Sequence, residues 1–321
     1  MIFGDLTMLL SLRTLQYIVT AADALSITEA AKHLNVSQPS ISAAISQAEQ
    51  KIGMEIFLRH HARGISLTVA GRKFVNEARQ LLKHAYDFNL TTQSLSQELA
   101  GEITVGCFLT LATRFMPGLL ADFSKRYPGI SVRMEEGNQQ ELTEGLFSGE
   151  IEIAIAYTYA LPEEIHSTPL TSLRPYIVVS EHHPLAHRDK VSIYEFQHEP
   201  LILLDLPLSR DYFLRLFHSC QIEPKIIYRS SSYELIRGLV GHGHGYTIHN
   251  AIPGTSYAYD GSRTVVLAIE EALPTADVTC LTLKRHNTRP AVQIFARYVQ
   301  EQFSQTGIFS PNNLYSSARK I

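Results

Sequence analysis

Two helix-start signals stand only eleven residues apart near the N-terminus, at Ser26 and Ser37, and they leave room for one short helix and a tight turn. Ser26 is followed three residues later by Glu29, the pattern of a capping box. Ser37 precedes Pro39, which costs nothing in a first helical turn because its missing N–H would be unpaired there anyway. Between them Ala30 and Ala31 offer small side chains that let a neighbouring helix approach closely, and Asn35-Val36 makes the turn. Upstream, Leu12, Leu15, Ile18, Val19 and Ala22 recur at helical spacing.

The helix that Ser37 opens spans about 38–52. Ile41, Ala44, Ile45, Ala48 and Ile52 mark its inner face, and Gln38, Ser40, Ser42, Ala43, Ser46 and Gln47 its outer one. Serine and glutamine hydrogen-bond base edges and phosphates. The pattern fits a helix-turn-helix, and equally an ordinary three-helix domain with a polar surface. The next segment decides between them. Residues 57–59 and 65–68 read as two short strands around a basic, glycine-containing tip. That is a wing, with Arg59 and Arg63 placed to reach phosphate or the minor groove. Charge agrees: the chain carries −3 overall, but 59–83 holds Arg59, Arg63, Arg72, Lys73, Arg79 and Lys83 against Glu77, a local +5. A confined basic stripe on an acidic chain is the footprint of a phosphate-binding surface.

Ala30-Ala31, Leu34, Val36-Ser37-Gln38-Pro39-Ser40, Ile41-Ser42, Glu49, Gly53, Phe57, Arg59, Leu67-Thr68 and Ala70-Gly71 resemble the signature of LysR-type transcriptional regulators. The match is dense over 12–71. The resemblance implies that Ser37, Gln38, Pro39, Ser40, Ser42, Ser46, Gln47, Arg59 and Arg63 contact double-stranded DNA. One departure stands out: the family commonly has Arg after the second serine of the recognition helix, where this chain has Ala43. An anchoring or base-reading group is lost there, and the operator preference is expected to shift.

From Thr68 to about Leu99 there is no proline and, past Gly71, no glycine. Phe74, Ala78, Leu81, Leu82, Ala85 and Phe88 repeat every three or four residues, an amphipathic helix. The resemblance implies that this linker helix pairs with a second copy, giving a homodimer or homotetramer. From Ile103 strands and helices alternate, with strands near 103–107, 130–135, 151–157, 174–180, 201–205 and 225–229. Helices fall near 115–127, 141–148, 210–219 and 233–242. Such alternation predicts an α/β fold with mostly parallel sheet and helices on both faces. Two units in tandem suggest two lobes, and the doubly wound effector domain of the family is similar to periplasmic solute-binding proteins. The expected organisation is a winged helix-turn-helix over 11–68, the linker helix over 69–99, an effector domain over 101–305 and a disordered tail over 306–321. Lobe I is expected at about 101–172 plus 270–305, and lobe II at about 173–269.

Ligands of such folds sit at the carboxyl ends of strands near helix N-termini. That rule selects Cys107, Phe108 and Thr110 after the first strand, Asn138 after the second, Tyr157 at the end of the third and Ser209 as a helix cap in the other lobe. Gly243 and Tyr246 lie in a glycine-rich turn that the resemblance places near the cleft, as it does Thr110 and Asn138. Each alone reads as a plain cap or turn; together they converge on one small-molecule effector site.

Three further chemistries fare worse. His242, His244 and His249 have metal-compatible spacing, but no Cys or carboxylate stands close in sequence and the family has an apolar residue at His244; no metal or cofactor is expected. The stretch 201–229 holds only Cys220, and Cys107 and Cys280 are remote in sequence, which argues against a thiol switch. No nucleophile elbow, P-loop, dinucleotide fingerprint or H-E-x-x-H motif is present, so no enzyme is expected. Residues 1–10 lack the basic start of a signal peptide, and no apolar run approaches membrane-spanning length. The reading is a cytoplasmic DNA-binding regulator without membrane contact, acting with RNA polymerase. The rivals are a solute-binding protein and an effector-independent regulator.

Overall fold

Three serines start the first three helices. Ser11, Ser26 and Ser37 each accept a hydrogen bond from the backbone N–H three residues on, at 3.1, 3.3 and 3.3 Å. They open α1 (Leu12–Ala24), α2 (Ile27–His33) and α3 (Gln38–Ile52). Only the serine half of the expected capping box at Ser26 is in place, because the Glu29 carboxylate takes the Lys32 ammonium at 2.7 Å. The computed structural model describes residues 10–60, 64–93, 101–284 and 288–310. The chain forms two compact units, one within Met1–Gly101 and one comprising Glu102–Leu146 and Ile151–Ile321 as its body.

The first unit packs Ile18, Ala21, Ala30, Ile41, Ile45 and Ala48 into a core with almost no exposure. The alanines let α1, α2 and α3 approach closely, as the sequence predicts. Asn35 takes a left-handed conformation (φ 52°) in the turn, which asparagine tolerates better than other side chains. Two strands follow, β1 (Phe57–His60) and β2 (Gly64–Leu67), paired antiparallel with Phe57 opposite Leu67 and Arg59 opposite Ile65. Residues 61–63, which include the predicted wing residue Arg63, lie outside the described residues. Glu49 couples α3 to this hairpin: its carboxylate accepts from the N–H groups of Ile56 and Phe57 at 2.8 and 3.1 Å.

The linker helix α4 (Val69–Gln93) has 25 residues, a length of about 38 Å. It starts where only glycine fits, since a Cβ on Gly71 would lie 2.0 Å from the Ile56 carbonyl oxygen. Its apolar stripe divides. Val75 and Ala78 are buried, and Phe74 and Leu82 pack, against the unit's own core, whereas Leu81, Tyr86 and Phe88 are exposed. The Arg79 guanidinium pairs with Asp23 on α1. Residues 94–99, predicted to continue the helix, lie outside the described residues.

The second unit holds a five-stranded, a four-stranded and a two-stranded sheet. The first is built from β3 (Gly101–Phe108), β4 (Ile130–Gly137), β5 (Ile153–Tyr157), β6 (Ile165–Leu173) and the late strand β13 (Ala276–Leu283), in the order β4-β3-β5-β13-β6. Helices α5 (Leu109–Arg126), α6 (Gln139–Ser148) and α9 (Pro290–Phe303) belong to this part of the chain. The second set comprises β7 (Tyr176–Ser180), β8 (Lys190–Val191), β9 (Pro200–Leu204), β10 (Lys225–Ser230), β11 (Thr247–His249) and β12 (Thr264–Ile269). Between these strands lie helices α7 (Ser209–Ser219) and α8 (Tyr233–Gly241). Pairings β3–β5, β9–β10 and β8–β12 are parallel, but β13 runs antiparallel to β5 and β6, and β7 antiparallel to β11 and β12. The sheets are therefore mixed rather than mostly parallel. The returning strand β13 completes a sheet begun more than a hundred residues earlier, a pairing that no local pattern announces.

A buried ion pair locks the first sheet to the start of α9. Arg289 and Glu152 are 2% and 3% exposed and meet at 2.6 Å. Glu152 also accepts from the Thr104 N–H at 3.1 Å, and Arg289 donates to the Glu102 carbonyl at 2.9 Å. The chain end departs from expectation too. Order extends beyond 306: the Phe309 ring packs edge-on against Phe115 at 4.9 Å and beside Phe303 at 5.4 Å. One aromatic residue outweighs the glycine and serine around it by filling a gap between α5 and α9. Residues 311–321 lie outside the described residues.

Candidate functional site

Two surfaces gather the residues singled out by sequence. The first is the outer face of α3. Gln38, Pro39, Ser40, Ala43, Ser46 and Gln47 are exposed and Ser42 is half-buried, because Ile41, Ile45 and Ala48 take the inner face. Ser37 is committed as the cap, with its hydroxyl also 2.7 Å from that of Ser40. Arg59 does not stand off at the hairpin tip. Its guanidinium donates to the Ser46 hydroxyl on α3 at 3.0 Å, while His60 turns to Ser66 on β2 at 2.7 Å.

The second surface lies between the first sheet of the C-terminal unit and its second set of strands. Phe108 packs edge-on against Tyr157 at 5.0 Å, Tyr157 stacks on Tyr159 at 5.0 Å and Tyr159 on Tyr212 at 5.3 Å. The ladder continues through Phe213 to His249 and ends at Tyr233, whose ring meets His249 at 4.3 Å. Phe108, Tyr157 and Tyr159 follow strands of the first sheet, whereas Tyr212, Phe213 and Tyr233 stand on α7 and α8 and His249 on β11. The rings thus join the first sheet to the second set of strands and its helices. Hydroxyls accompany them. The Thr110 hydroxyl lies 3.5 Å from that of Tyr157, and the Tyr176 hydroxyl 3.4 Å from that of Tyr233.

The tyrosines and the histidine of this lining are neutral at pH 7. Burial pushes the Tyr157 and Tyr176 phenols well up and that of Tyr233 to about 12. Burial, reinforced by the nearby Arg237 guanidinium, holds His249 down at about 3. Arg237 donates to Glu234 and to the carbonyls of Thr255 and Tyr257, and its Nε is buried without a partner among the described residues. Hydrogen-bonding capacity is left over: His249 Nε2, Asn250 Oδ1 and both amide atoms of Gln139 are buried without a partner among the described residues. Burying such atoms unpaired is costly, so they mark where a polar ligand is best received. Two helices opening toward strand ends here, α5 and α7, have no side-chain cap, which leaves the positive end of each helix dipole to a ligand.

The structure brings together Cys107, Phe108, Thr110 and Tyr157, and it distributes the other predicted residues differently. Asn138 acts as the cap of α6, its Oδ1 accepting from Gln140 and Glu141 at 2.9 and 3.2 Å; the neighbouring Gln139 is the buried one. Ser209 is not the cap of α7. Leu208 holds that position with φ 66°, so the helix begins with Ser209 and its side chain is buried. Gly243 follows the end of α8 with a left-handed backbone (φ 77°), its N–H donating to the Val240 carbonyl. Tyr246 packs between Phe196 and Phe217. It is placed there because Gly245 lets the chain pass Pro200, whose carbonyl oxygen would lie 2.2 Å from a Cβ on that residue.

The three histidines of the glycine-rich region go to three places. His242 pairs with Asp260, His244 meets the Tyr228 ring and His249 is in the ladder. All three cysteines are free and buried, and desolvation raises the thiols of Cys107 and Cys280 far above the range where a thiolate forms. Among the described residues no helix is long and apolar enough to cross a membrane.

The N-terminal unit matches the model for the bacterial regulatory helix-turn-helix protein of the lysR family over residues 12–72, and the model for the LysR substrate binding domain matches residues 96–304. The chain belongs to the LysR family. It is a LysR-type, DNA-binding transcription regulator with an effector-binding domain. Its relatives are transcription regulators. The HTH-type transcriptional regulator YybE of Bacillus subtilis (strain 168) is 27% identical over 296 residues, covering 91% of this chain and 98% of that protein. The crystal structure of HinK, a LysR family transcriptional regulator from Pseudomonas aeruginosa, is 36% identical with a TM-score of 0.62, covering 92% of this chain and 99% of the other. The effector binding domain of QuiR in complex with shikimate shares the fold at 23% identity and a TM-score of 0.58, over 65% of this chain and 99% of that one.

Proposed function

We propose that this LysR-type regulator reads double-stranded DNA with the outer face of α3 and adjusts its hold when a small metabolite occupies the aromatic cleft. On the DNA side the contacts are assigned to Ser37, Gln38, Pro39, Ser40, Ser42, Ser46, Gln47, Arg59 and Arg63. On the effector side they are assigned to Phe108, Thr110 and Tyr157 in lobe I, with His249 and Asn250 of lobe II and Gln139 added by the burial argument. The observation that carries the cleft assignment is the pair of buried polar atoms, His249 Nε2 and Asn250 Oδ1, without a partner among the described residues and beside the ring ladder.

A ligand suited to this lining is small, hydroxylated or carboxylated, and carries a flat or cyclic body for the rings. Neutral donors and acceptors meet its hydroxyls, and the uncapped ends of α5 and α7 meet its negative end. The cyclic hydroxy-acid in the QuiR complex has this chemistry. Closing the lobes on the ligand shifts a population between two assemblies, which requires different ligand affinity in each.

We assign 11–68 to the DNA-binding domain, 69–99 to the linker helix and 101–305 to the effector domain, with the lobes meeting near 173 and 270. The exposed Leu81, Tyr86 and Phe88 support pairing of α4 with a second copy, as a homodimer or a homotetramer. Two α3 helices then enter successive major grooves of a two-fold operator. The regulator is taken to act in the cytoplasm, together with RNA polymerase, and without catalysis of its own.

A thermal-shift screen of small organic acids and hydroxy-acids tests the cleft. A ligand at a hundred times its Kd is expected to stabilise the effector domain by about 2.7 kcal/mol. Thr110→Ala is expected to abolish that shift while leaving DNA affinity intact. A full shift in Thr110→Ala would remove Thr110 from the site.

A further inference from the structure

Arg59 belongs to the recognition face and not to the wing tip, and three observations place it there. The first is strand parity. Successive side chains of a strand alternate between faces, and Phe57 is buried against the helices. Arg59, two residues on, therefore shares its face, and its cross-strand partner Ile65 is buried on that same side. The second is the contact itself: the Arg59 guanidinium donates to the Ser46 hydroxyl at 3.0 Å. The third is the charge on α3. From Gln38 to Gln50 the helix carries no basic residue, and its sole acid in that stretch, Glu49, is turned to the hairpin backbone. Ala43, one turn before Ser46, is exposed and offers no hydrogen-bonding group.

We infer that Arg59 is the specificity-determining cation of the recognition face, held by Ser46 so that its guanidinium meets a guanine edge in the major groove. Arginine has five N–H donors in a planar fork. One is spent on Ser46, and the fork remains available for the paired O6 and N7 acceptors of guanine, a geometry that an ammonium does not reproduce. Ser46 is a positioning residue: it touches the guanidinium, restricts its rotamers and lowers the entropy lost on reading the base. The chain thus supplies from β1 a cation that the helix lacks before Lys51 in its last turn. The wing tip is left to contact phosphate.

This inference rests on the DNA-reading role proposed for α3, and the test separates the two. Full-length protein is used to select from a library of randomised DNA duplexes, alongside Arg59→Lys, Arg59→Ala, Ser46→Ala and Ser46→Thr. Circular dichroism and the thermal midpoint establish that each variant is folded. The wild type is expected to enrich a two-fold motif with one G·C pair per half-site that it prefers by about 5- to 150-fold. Arg59→Lys and Arg59→Ala both lose the preference at that one position, Ser46→Ala weakens it, and Ser46→Thr retains it through its hydroxyl. If Arg59 only neutralises phosphate, Arg59→Lys keeps the wild-type motif. In that case Arg59→Ala weakens all sequences alike and flattens the salt slope by about one, which overturns the inference alone. Failure of the wild type to enrich any motif would overturn the DNA-reading role and the inference with it.

Discussion

Arg289→Met is expected to lower the unfolding free energy of the effector domain by about 3–5 kcal/mol, because it strands a carboxylate in the interior. The two partners are almost wholly shielded from water and meet at 2.6 Å. Glu152 has a second tie to the Thr104 N–H, so it cannot swing out to solvent without breaking the edge of β3. Removing both charges should cost far less than removing one, since hydrophobic replacement of a whole buried pair is often neutral. Calorimetry of the full chain, read at the effector-domain transition, checks both statements. Equal losses in Arg289→Met and in Arg289→Met with Glu152→Leu would show that lost packing, and not the orphaned charge, sets the cost. The pair bears on function because it fixes α9 to the sheet whose strands end at Phe108 and Tyr157.

The second large effect is pH dependence centred on His249. Its folded-state value of about 3 lies below the usual 6.5, since burial and Arg237 both disfavour the imidazolium. A depressed histidine contributes stability that is fully present above its unfolded value. That stability is lost as the pH falls from about 6.5 toward 3. The slope is about 1.4 kcal/mol per pH unit for one proton taken up on unfolding. His249→Leu is expected to flatten this part of the curve while holding the ring contacts of Tyr233 and Phe213 by its own bulk. Stability measured between pH 7 and pH 4 decides the matter: a variant as acid-sensitive as the wild type would place the effect elsewhere. The same burial keeps His249 neutral, so in the proposed site it offers a hydrogen bond and not a charge. Ligand binding through it should vary little with pH in the neutral range.

The N-terminal unit was legible because its signals are local. Ser26 and Ser37 cap the helices they announce, the inward set Ile41, Ile45 and Ala48 follows the helical period, and the hairpin 57–67 falls where alternation puts it. The strand position of Arg59 was also readable there, and Phe57 sets the parity of that strand; its bond to Ser46 on α3 emerges only from the fold. The effector domain was legible in its early strands and helices and much less so in its return strands. Strand β13 pairs with residues 165–173, and its antiparallel direction depends on a crossover that no short window contains. Ser209 looked like a cap because serine usually is one; the left-handed Leu208 moves the helix start by a residue. Asn138, expected at the cleft, caps α6 instead, and its neighbour Gln139 is the buried one. The shorter side chain reaches the helix N–H groups, and the longer one is turned inward. The ion pair of Glu152 with Arg289 and the ring ladder join residues far apart in sequence, and they emerge only from the fold.

The most direct test of a DNA reader governed by a distant cleft is the affinity of the full chain for duplex DNA from upstream of its own gene, measured across a salt series. The account predicts that log affinity falls linearly with log salt. A loss of roughly a thousandfold is expected between about 50 and 200 mM if the assembled dimer neutralises six or more phosphates. Binding that is absent at low salt, or that ignores salt throughout the series, would contradict it.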